Sequence, residues 1–204
     1  MVGVLAGEVV QAPNPDADSG EWLGSAPNFR ADVGAFEIDE KPASVAEYAR
    51  CVAAGACSAP GTAGDHPGCA ASGAADAPAG CIDQAQASAF CAWAKKRLPT
   101  ELEVLRAEMT LRERRPKRDR DAKEWTSTSA RWKQWPNDAA FVVAHAAPRW
   151  SRRGQRPFAR QPALGVRCVR SKEPPPESAV VSVAPQPVLP AAALGKYTGI
   201  LLEP

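Results

Sequence analysis

The sequence predicts a small α+β domain that is stabilised by disulfides and followed by a proline-rich tail. Three capping boxes, each at the start of an apolar run with helical spacing, predict three helices. Short apolar runs broken by proline, asparagine and aspartate predict short strands. Six cysteines among 204 residues form an even count, which in a loop-rich chain favours disulfides and an oxidising compartment.

The predicted helices begin at capping boxes, in which two side chains satisfy backbone N–H groups that the first helical turn leaves free. The boxes are Ser44–Glu47, Asp83–Gln86 and Thr100–Glu103. The helices that they open are expected to end at Gly55, before Pro99 and before Pro116.

Strands and loops are predicted for most of the remaining segments. Residues 1–35 consist of short apolar pieces between turns, which is typical of short strands or irregular structure. Residues 58–80 are dominated by Ala, Gly, Pro and Ser and predict a surface loop. Phe141–Ala144 predicts a strand, and alternation over Leu164–Val169 predicts the last strand of the domain.

A change of composition after Lys172 predicts the end of the domain. We therefore assign residues 1–172 to one domain and residues 173–204 to a C-terminal tail rich in Pro and Ala. The 20 prolines of the chain exclude a long helical bundle. The sequence also lacks a proline-free apolar run of about 18 residues, so no transmembrane helix is expected.

Charge is distributed unevenly along the chain. Residues 1–94 hold 12 acidic and 3 basic residues, a net of −9, and the rest hold 22 basic and 11 acidic residues, a net of +11. One interpretation is a polyanion-binding face, and the other is two halves of one domain that neutralise each other. The candidate ligand-binding residues are Trp150, Arg152, Arg153, Arg156 and Arg160, with Phe158 interleaved. The alternative is a solvated arginine-rich surface, and we expect no nucleic-acid partner.

Four motifs follow one another in order along the chain. The first, Phe36–Asp39, leads into the first helix, and the second is Ala89–Glu103, AFCAWAKKRLPTELE. The third is Glu124–Thr126, and the last is Gly165–Cys168. In this order they resemble the signatures of the formylglycine-generating enzyme (sulfatase-modifying factor) family. Its most specific motif is a Tyr/Phe-Cys-x-Trp-Ala-Gly-Lys-Arg-Leu-Pro-Thr-Glu-x-Glu-Trp run, and its later signatures are Glu-Trp-Thr and Gly-Phe-Arg-Cys.

The resemblance implies a C-type-lectin-like α+β fold with little regular secondary structure. It also implies a disulfide between Cys91 and Cys168, which fall on apolar faces of the second helix and the last strand. For the other four cysteines sequence alone allows three pairings. We prefer the local loops Cys51–Cys57 and Cys69–Cys81.

The departures from the family pattern bear on activity. The resemblance implies two cysteines between the last two motifs that hold copper(I) and carry the oxidation, but Ser127–Leu164 contains no cysteine. Because serine and alanine cannot replace a thiolate ligand, copper-dependent formylglycine formation is not expected. In the central motif, Lys95 replaces the family's glycine and Val104 replaces its tryptophan. About sixty residues that usually precede the Glu-Trp-Thr motif are missing, as only Val104–Lys123 remains.

Some family members bind calcium around the Glu-Trp-Thr motif. Asp121 and Glu124 fall where such ligands would lie, and two carboxylates suit a hard cation. The alternative, which we favour, is two exposed carboxylates paired with Arg120 and Lys123 and no resident cofactor.

These observations lead to a catalytically inactive relative that acts as a binding or assembly module. We expect it outside the cytoplasm, in the periplasm, secreted or at the cell surface, with the signal peptide not present in this chain. The tail is expected to reach a protein partner through Leu194, Tyr197, Ile200, Leu201 and Leu202. One alternative is an oxidoreductase of the same family with non-standard chemistry, using free thiols among the first four cysteines or a bound metal. The other is a structural subunit of a larger extracytoplasmic complex.

Overall fold

In the residues that the structure describes, three helices combine with nine strands in three sheets. A computed structural model describes residues 1–11, 29–69, 73–111, 123–132, 135–145 and 152–171. The helices are α1 (Val45–Ala53), α2 (Gln84–Trp93) and α3 (Glu101–Leu111), and a 3₁₀ turn covers Pro67–Cys69. The strands are β1 (Val2–Val4), β2 (Gly7–Gln11), β3 (Phe29–Val33), β4 (Phe36–Ile38), β5 (Lys123–Trp132), β6 (Trp135–His145), β7 (Arg152–Gln155), β8 (Leu164–Gly165) and β9 (Val169–Arg170).

All three predicted capping boxes are present. At α1, the N–H of Glu47 donates to Oγ of Ser44 at 3.2 Å, and the N–H of Ser44 donates to the Glu47 carboxylate at 2.8 Å. The same exchange joins Asp83 to Gln86 and Thr100 to Glu103. Loss of such a cap costs about 1 kcal/mol, so the boxes define where each helix begins.

Helices α1 and α2 end in the same way, with one residue in the left-handed conformation. At α1 this residue is Gly55, with φ +70°. At α2 it is Lys95, with φ +55°. In both helices the N–H of this residue and the N–H of the one after it donate to carbonyls of the last turn. In α2, Lys95 N–H donates to Ala92 O at 2.9 Å and Lys96 N–H to Cys91 O at 2.8 Å, and in α1 the N–H groups of residues 55 and 56 do the same. This is the Schellman geometry, which normally selects glycine at the left-handed position.

The strands form two small sheets and one larger sheet. Antiparallel pairing gives the order β1-β4-β9 in the first sheet and joins β2 to β3 in the second. The third sheet has the order β7-β6-β5-β8, with β8 parallel to β5. Strand β6 is longer than the predicted Phe141–Ala144 because it pairs with β5 along its length.

The predicted last strand is divided between two sheets. Leu164 and Gly165 pair with β5, whereas Val169 and Arg170 belong to the sheet of β4. Residues 166–168, between these two strands, are all buried. The alternation of apolar and other residues therefore does not separate a buried face from an exposed one. A single strand over Leu164–Val169 was therefore wrong. The third helix was predicted to reach Pro116, and residues 112–122 lie outside the described residues.

Two clusters of buried side chains form the core, and they meet at Cys168 and Val169. One cluster surrounds Trp125 and includes Tyr48, Ile82, Phe90 and Leu164. The other lies under α3 and consists of Val4, Val9, Val33, Phe36, Ile38, Leu105, Ala107 and Val169. Because Cys168 belongs to the first cluster and Val169 to the second, the last motif joins the two cores.

Three disulfides cross-link the domain. They are Cys51–Cys57, Cys69–Cys81 and Cys91–Cys168, the same pairs that the sequence analysis selected. The cysteines of the third are 77 positions apart. Closing such a long loop restricts the unfolded chain most, and the chain-entropy estimate gives about 4 kcal/mol.

Candidate functional site

The region that the resemblance assigns to copper contains no thiolate. Strands β5, β6 and β7 occupy the interval between the last two motifs, and Ser127–Leu164 holds no cysteine. All six cysteines of the chain lie in described residues and are consumed by the three disulfides. Because copper(I) in this family needs two thiolates, the donor set present here does not fit it.

The Glu-Trp-Thr motif forms a buried ion cluster. Glu124, predicted to be exposed, is 2% exposed and lies in the core beside Arg167. Arg167 is fully buried and donates from Nε to Oε2 of Glu124 at 2.7 Å. Its Nη2 donates to Oε1 of Glu108 on α3 at 2.8 Å. Trp125, also fully buried, donates from its indole N–H to the carbonyl oxygen of Ile82 at 2.8 Å. The motif therefore builds the core.

The charges of this cluster compensate one another. Burial by itself would lower the pKa of Arg167, but the nearby carboxylates of Glu124 and Glu108 outweigh it and raise that pKa. A calcium ion at Glu124 would face the guanidinium at close range, and like charges repel there. Asp121 lies outside the described residues, so the two-carboxylate calcium site stays a prediction.

The arginines proposed to bind a polyanion differ in their surroundings. Arg160 donates to Asp83 at 2.9 Å and to Asp65 at 3.1 Å, so two carboxylates already neutralise it. The hydrogen bond to Asp83 and the charges of both carboxylates raise the pKa of Arg160. The guanidinium of Arg156 lies 5.8 Å from the ring centroid of Phe158, which is 64% exposed.

The other predicted ligand and partner residues have no described side chains. Arg152 and Arg153 lie in β7, opposite Ala144 and Val143 of β6. Trp150 lies outside the described residues, as do the five apolar tail residues of the predicted partner-binding segment, Leu194, Tyr197, Ile200, Leu201 and Leu202.

The described residues form a groove beside α1 that the sequence did not reveal. We call it the α1 groove, and its volume is about 490 Å³. One wall is the face of α1 that carries Val45, Tyr48, Ala49 and Val52. The other walls come from residues 60–61, 68–69, 73 and 78–81, together with Pro162. The volume lies within the range of about 300–1,000 Å³ that is usual for ligand pockets.

Close backbone packing shapes this groove. A Cβ at Gly80 would collide with the backbone carbonyl of Pro162, and one at Gly68 would collide with its ring. The disulfide Cys69–Cys81 holds the two ends of the same loop together. The glycines of a segment that looks like low complexity therefore allow the loop and Pro162 to approach each other.

None of the described residues that line the α1 groove carries a charge, and the ion pair of Arg160 and Asp65 lies at its edge, beside Gly61. Tyr48 is the one titratable side chain among those lining residues, since all six cysteines are in disulfides. Burial raises the pKa of Tyr48 to about 12, so it stays neutral at ordinary pH. Its hydroxyl donates to the carbonyl oxygen of Ser58 at 3.0 Å. An occupant of this groove would therefore meet an apolar, uncharged surface.

Comparisons with known proteins agree with the motif pattern. A family model described as "Sulfatase-modifying factor enzyme 1-like domain" matches residues 1–148. The solved structure of PvdO from Pseudomonas aeruginosa is similar in fold, with a TM-score of 0.58 and 17% sequence identity, over 83% of this chain and 93% of that one. The expected formylglycine-generating-enzyme-like α+β fold is thus confirmed.

No curated protein matches the sequence significantly. None of the helices in the described ranges is both long and apolar enough to span a lipid bilayer.

Proposed function

Because the chain belongs to the sulfatase-modifying factor family, we propose that it is a non-catalytic member that acts as a binding or assembly module. The proposal is that the scaffold has been kept while the oxidation chemistry has been lost. The role is then to present surfaces and a tail to a protein partner outside the cytoplasm.

The observation that carries this proposal is the state of the cysteines. All six are in disulfides, and none lies between Ser127 and Leu164. A disulfide sulfur has no thiolate lone pair to offer copper(I) and no proton to lose to an oxidant. The alternative enzyme that uses free thiols among the first four cysteines loses its nucleophile by the same argument.

The disulfides also support an extracytoplasmic location. Three bridges in a domain of about 170 residues form and persist in an oxidising compartment, whereas cytosolic reductants keep thiols reduced. The periplasm, the cell surface and the secreted state all satisfy this condition.

Copper(I) binding and thiol content test the loss of oxidation chemistry. We would titrate the full chain, purified without reductant from its native source, with copper(I) against a competing chelator. In parallel we would count thiols in denaturant. We expect no free thiol and no copper beyond the level of a disulfide-bonded control protein. One tightly held copper per chain, or two free thiols, would restore the enzyme hypothesis.

Partner capture tests the role of the tail. We would capture envelope proteins with the tagged full chain, with a chain ending at Lys172, and with residues 173–204 fused to an unrelated carrier. If the tail is the tether, capture disappears with the shortened chain and returns with the fusion. Equal capture by the full and shortened chains would move the partner site to the domain. A partner that co-purifies in fixed stoichiometry in every case would favour the structural-subunit alternative.

A further inference from the structure

The α1 groove favours an occupant without charge. A charged ligand would give up its hydration there, and no described residue that lines the groove carries a charge to replace it. The ions at its edge, Arg160 and Asp65 beside Gly61, already pair with each other at 3.1 Å. An apolar or neutral segment gives up little, and it gains the burial of Val45, Ala49 and Val52, which form the open wall.

The chain itself supplies such a segment. Ser178–Gly195 contains no charged residue and is interrupted by Pro185, Pro187 and Pro190. Proline fixes φ near −65° and favours the extended polyproline conformation. A segment that already prefers this conformation loses little backbone entropy when it binds. Its other residues are mostly Ala, Val and Leu, whose side chains suit a shallow groove walled by glycine and alanine.

We propose that the α1 groove binds Pro185–Pro190, the sequence PQPVLP, of the same chain. The groove volume of about 490 Å³ accommodates a short piece of the tail and not its whole length. Val188 and Leu189 are the largest apolar side chains in that piece, and they would cover the open wall of α1. This inference does not depend on the proposed function, because it concerns a different part of the tail from the predicted partner-binding residues.

The length of the intervening chain permits this contact. Fourteen positions separate Ser171, the last described residue, from Pro185. An extended chain covers about 3.1 Å per residue, so this linker spans roughly 40 Å. A domain of this size has a radius of gyration of about 15 Å, so the linker reaches any point of its surface.

Tethering makes even a weak contact populated. Because the segment and the groove belong to one chain, their effective concentration is on the order of 1 mM. A contact with an intrinsic dissociation constant of about 0.1 mM would then be closed roughly ten times as often as open.

Proteolysis of the intact, oxidised full chain tests the proposal. A protease that cuts after small apolar residues would attack the bonds after Ala191 and Ala192, and mass spectrometry would follow the released end. Such enzymes bind several residues on each side of the bond, so docking of Pro190 blocks them. Ala49→Arg places a charged side chain in the groove and should raise the cleavage rate about tenfold, since cleavage follows the open population. Ala53→Arg is the matched control, because Ala53 lies on the same helix, is also exposed and does not line the groove. Its cleavage rate should equal that of the unmodified chain.

A second pair of variants keeps the test independent of the stability of α1. Val188→Glu places the charge in the segment and should raise the cleavage rate as Ala49→Arg does. Val180→Glu, the same substitution outside the segment, should leave the rate unchanged. Equal cleavage rates for the unmodified chain, Ala49→Arg and Val188→Glu would overturn the proposal. Protection that rises with protein concentration, together with a dimer in sedimentation, would also overturn it, because the occupant would then be a second copy.

Discussion

Replacing Lys95 with glycine should stabilise the protein, although the substitution removes a side chain and adds flexibility. Lys95 occupies the left-handed position of the Schellman ending of α2, with φ +55°. The left-handed conformation costs a residue with a Cβ about 1–2 kcal/mol and costs glycine nothing. Glycine also makes the unfolded chain more flexible, which offsets about 0.5–1 kcal/mol of this gain in stability. The net gain is about 1 kcal/mol, or a rise in Tm of about 2–4 °C in a chain of this size.

Helix α1 provides the reciprocal experiment. Gly55 holds the same position of the same motif, with φ +70°, and a Cβ built there meets no atom within 4 Å. Gly55→Lys should therefore lower the free energy of unfolding by about 1 kcal/mol through conformation alone. The double variant, with glycine and lysine exchanged between the two helices, should return close to the parent value if the two sites are independent.

A charge-matched control separates conformation from electrostatics. Lys41 is also exposed, and its φ is not positive. Lys41→Gly removes the same charge and adds the same flexibility without relieving any strain, so it should destabilise slightly. Unfolding in denaturant, with the disulfides intact and followed by tryptophan fluorescence and circular dichroism, measures all four variants. If Lys95→Gly is as destabilising as Lys41→Gly, the left-handed ending of α2 is wrong and the reasoning fails.

Three further perturbations follow from the same structure. Gly80→Ala should cost several kcal/mol, since its Cβ would enter the carbonyl of a facing loop, whereas Gly34→Ala, with open space around it, should be nearly neutral. Arg167→Met should cost about 3–5 kcal/mol because it removes the buried guanidinium that donates to both Glu124 and Glu108, while Arg170→Met at an exposed pair 3.7 Å long should cost less than about 1 kcal/mol. The backbone hydrogen bond of the α1 capping box lowers the pKa of Glu47, so its stabilising contribution is present above the unfolded value and should disappear as the pH falls through the folded one.

Each of these has a measurement that can contradict it. Chemical denaturation gives the free energy of unfolding of Gly80→Ala and Gly34→Ala. Similar losses of stability in both variants would show that the loop facing Gly80 moves away from the added Cβ. For the arginine pair, similar losses would mean that the buried cluster is hydrated. For the capping box, the difference in stability between the parent and Glu47→Gln should shrink in acid, and a constant difference would remove the carboxylate from the argument.

Local signals predicted the helices, and the reason is physical. A capping box is formed by residues three positions apart, so the sequence alone contains both partners of each hydrogen bond. The left-handed ending of α2 was less evident, because Lys95 stands where the motif of the family has glycine. Glycine at this position of the motif indicates a left-handed conformation, which a lysine there does not suggest.

Strand pairing depended on contacts that the sequence does not display. Lys123 pairs with Leu164 in parallel register, and Ile38 pairs with Val169 across most of the domain. Alternation shows that a segment is half-buried, but it does not show which sheet the segment joins. The α1 groove was missed for a similar reason, since it forms where Pro162 packs on the glycines of a distant loop.

The motifs that identify the family mainly stabilise the fold. Asp39 of the first motif accepts from the backbone N–H of Cys168 at 3.1 Å and from the ammonium of Lys96 at 2.6 Å. Glu103 of the central motif closes a capping box and binds Arg97. Together with the buried ion cluster and the long disulfide, these contacts connect all four motifs to one another. A sequence that keeps them keeps the scaffold, whatever stands between the last two motifs. A match to these motifs therefore predicts the fold, and the chemistry has to be argued from the residues between the last two motifs.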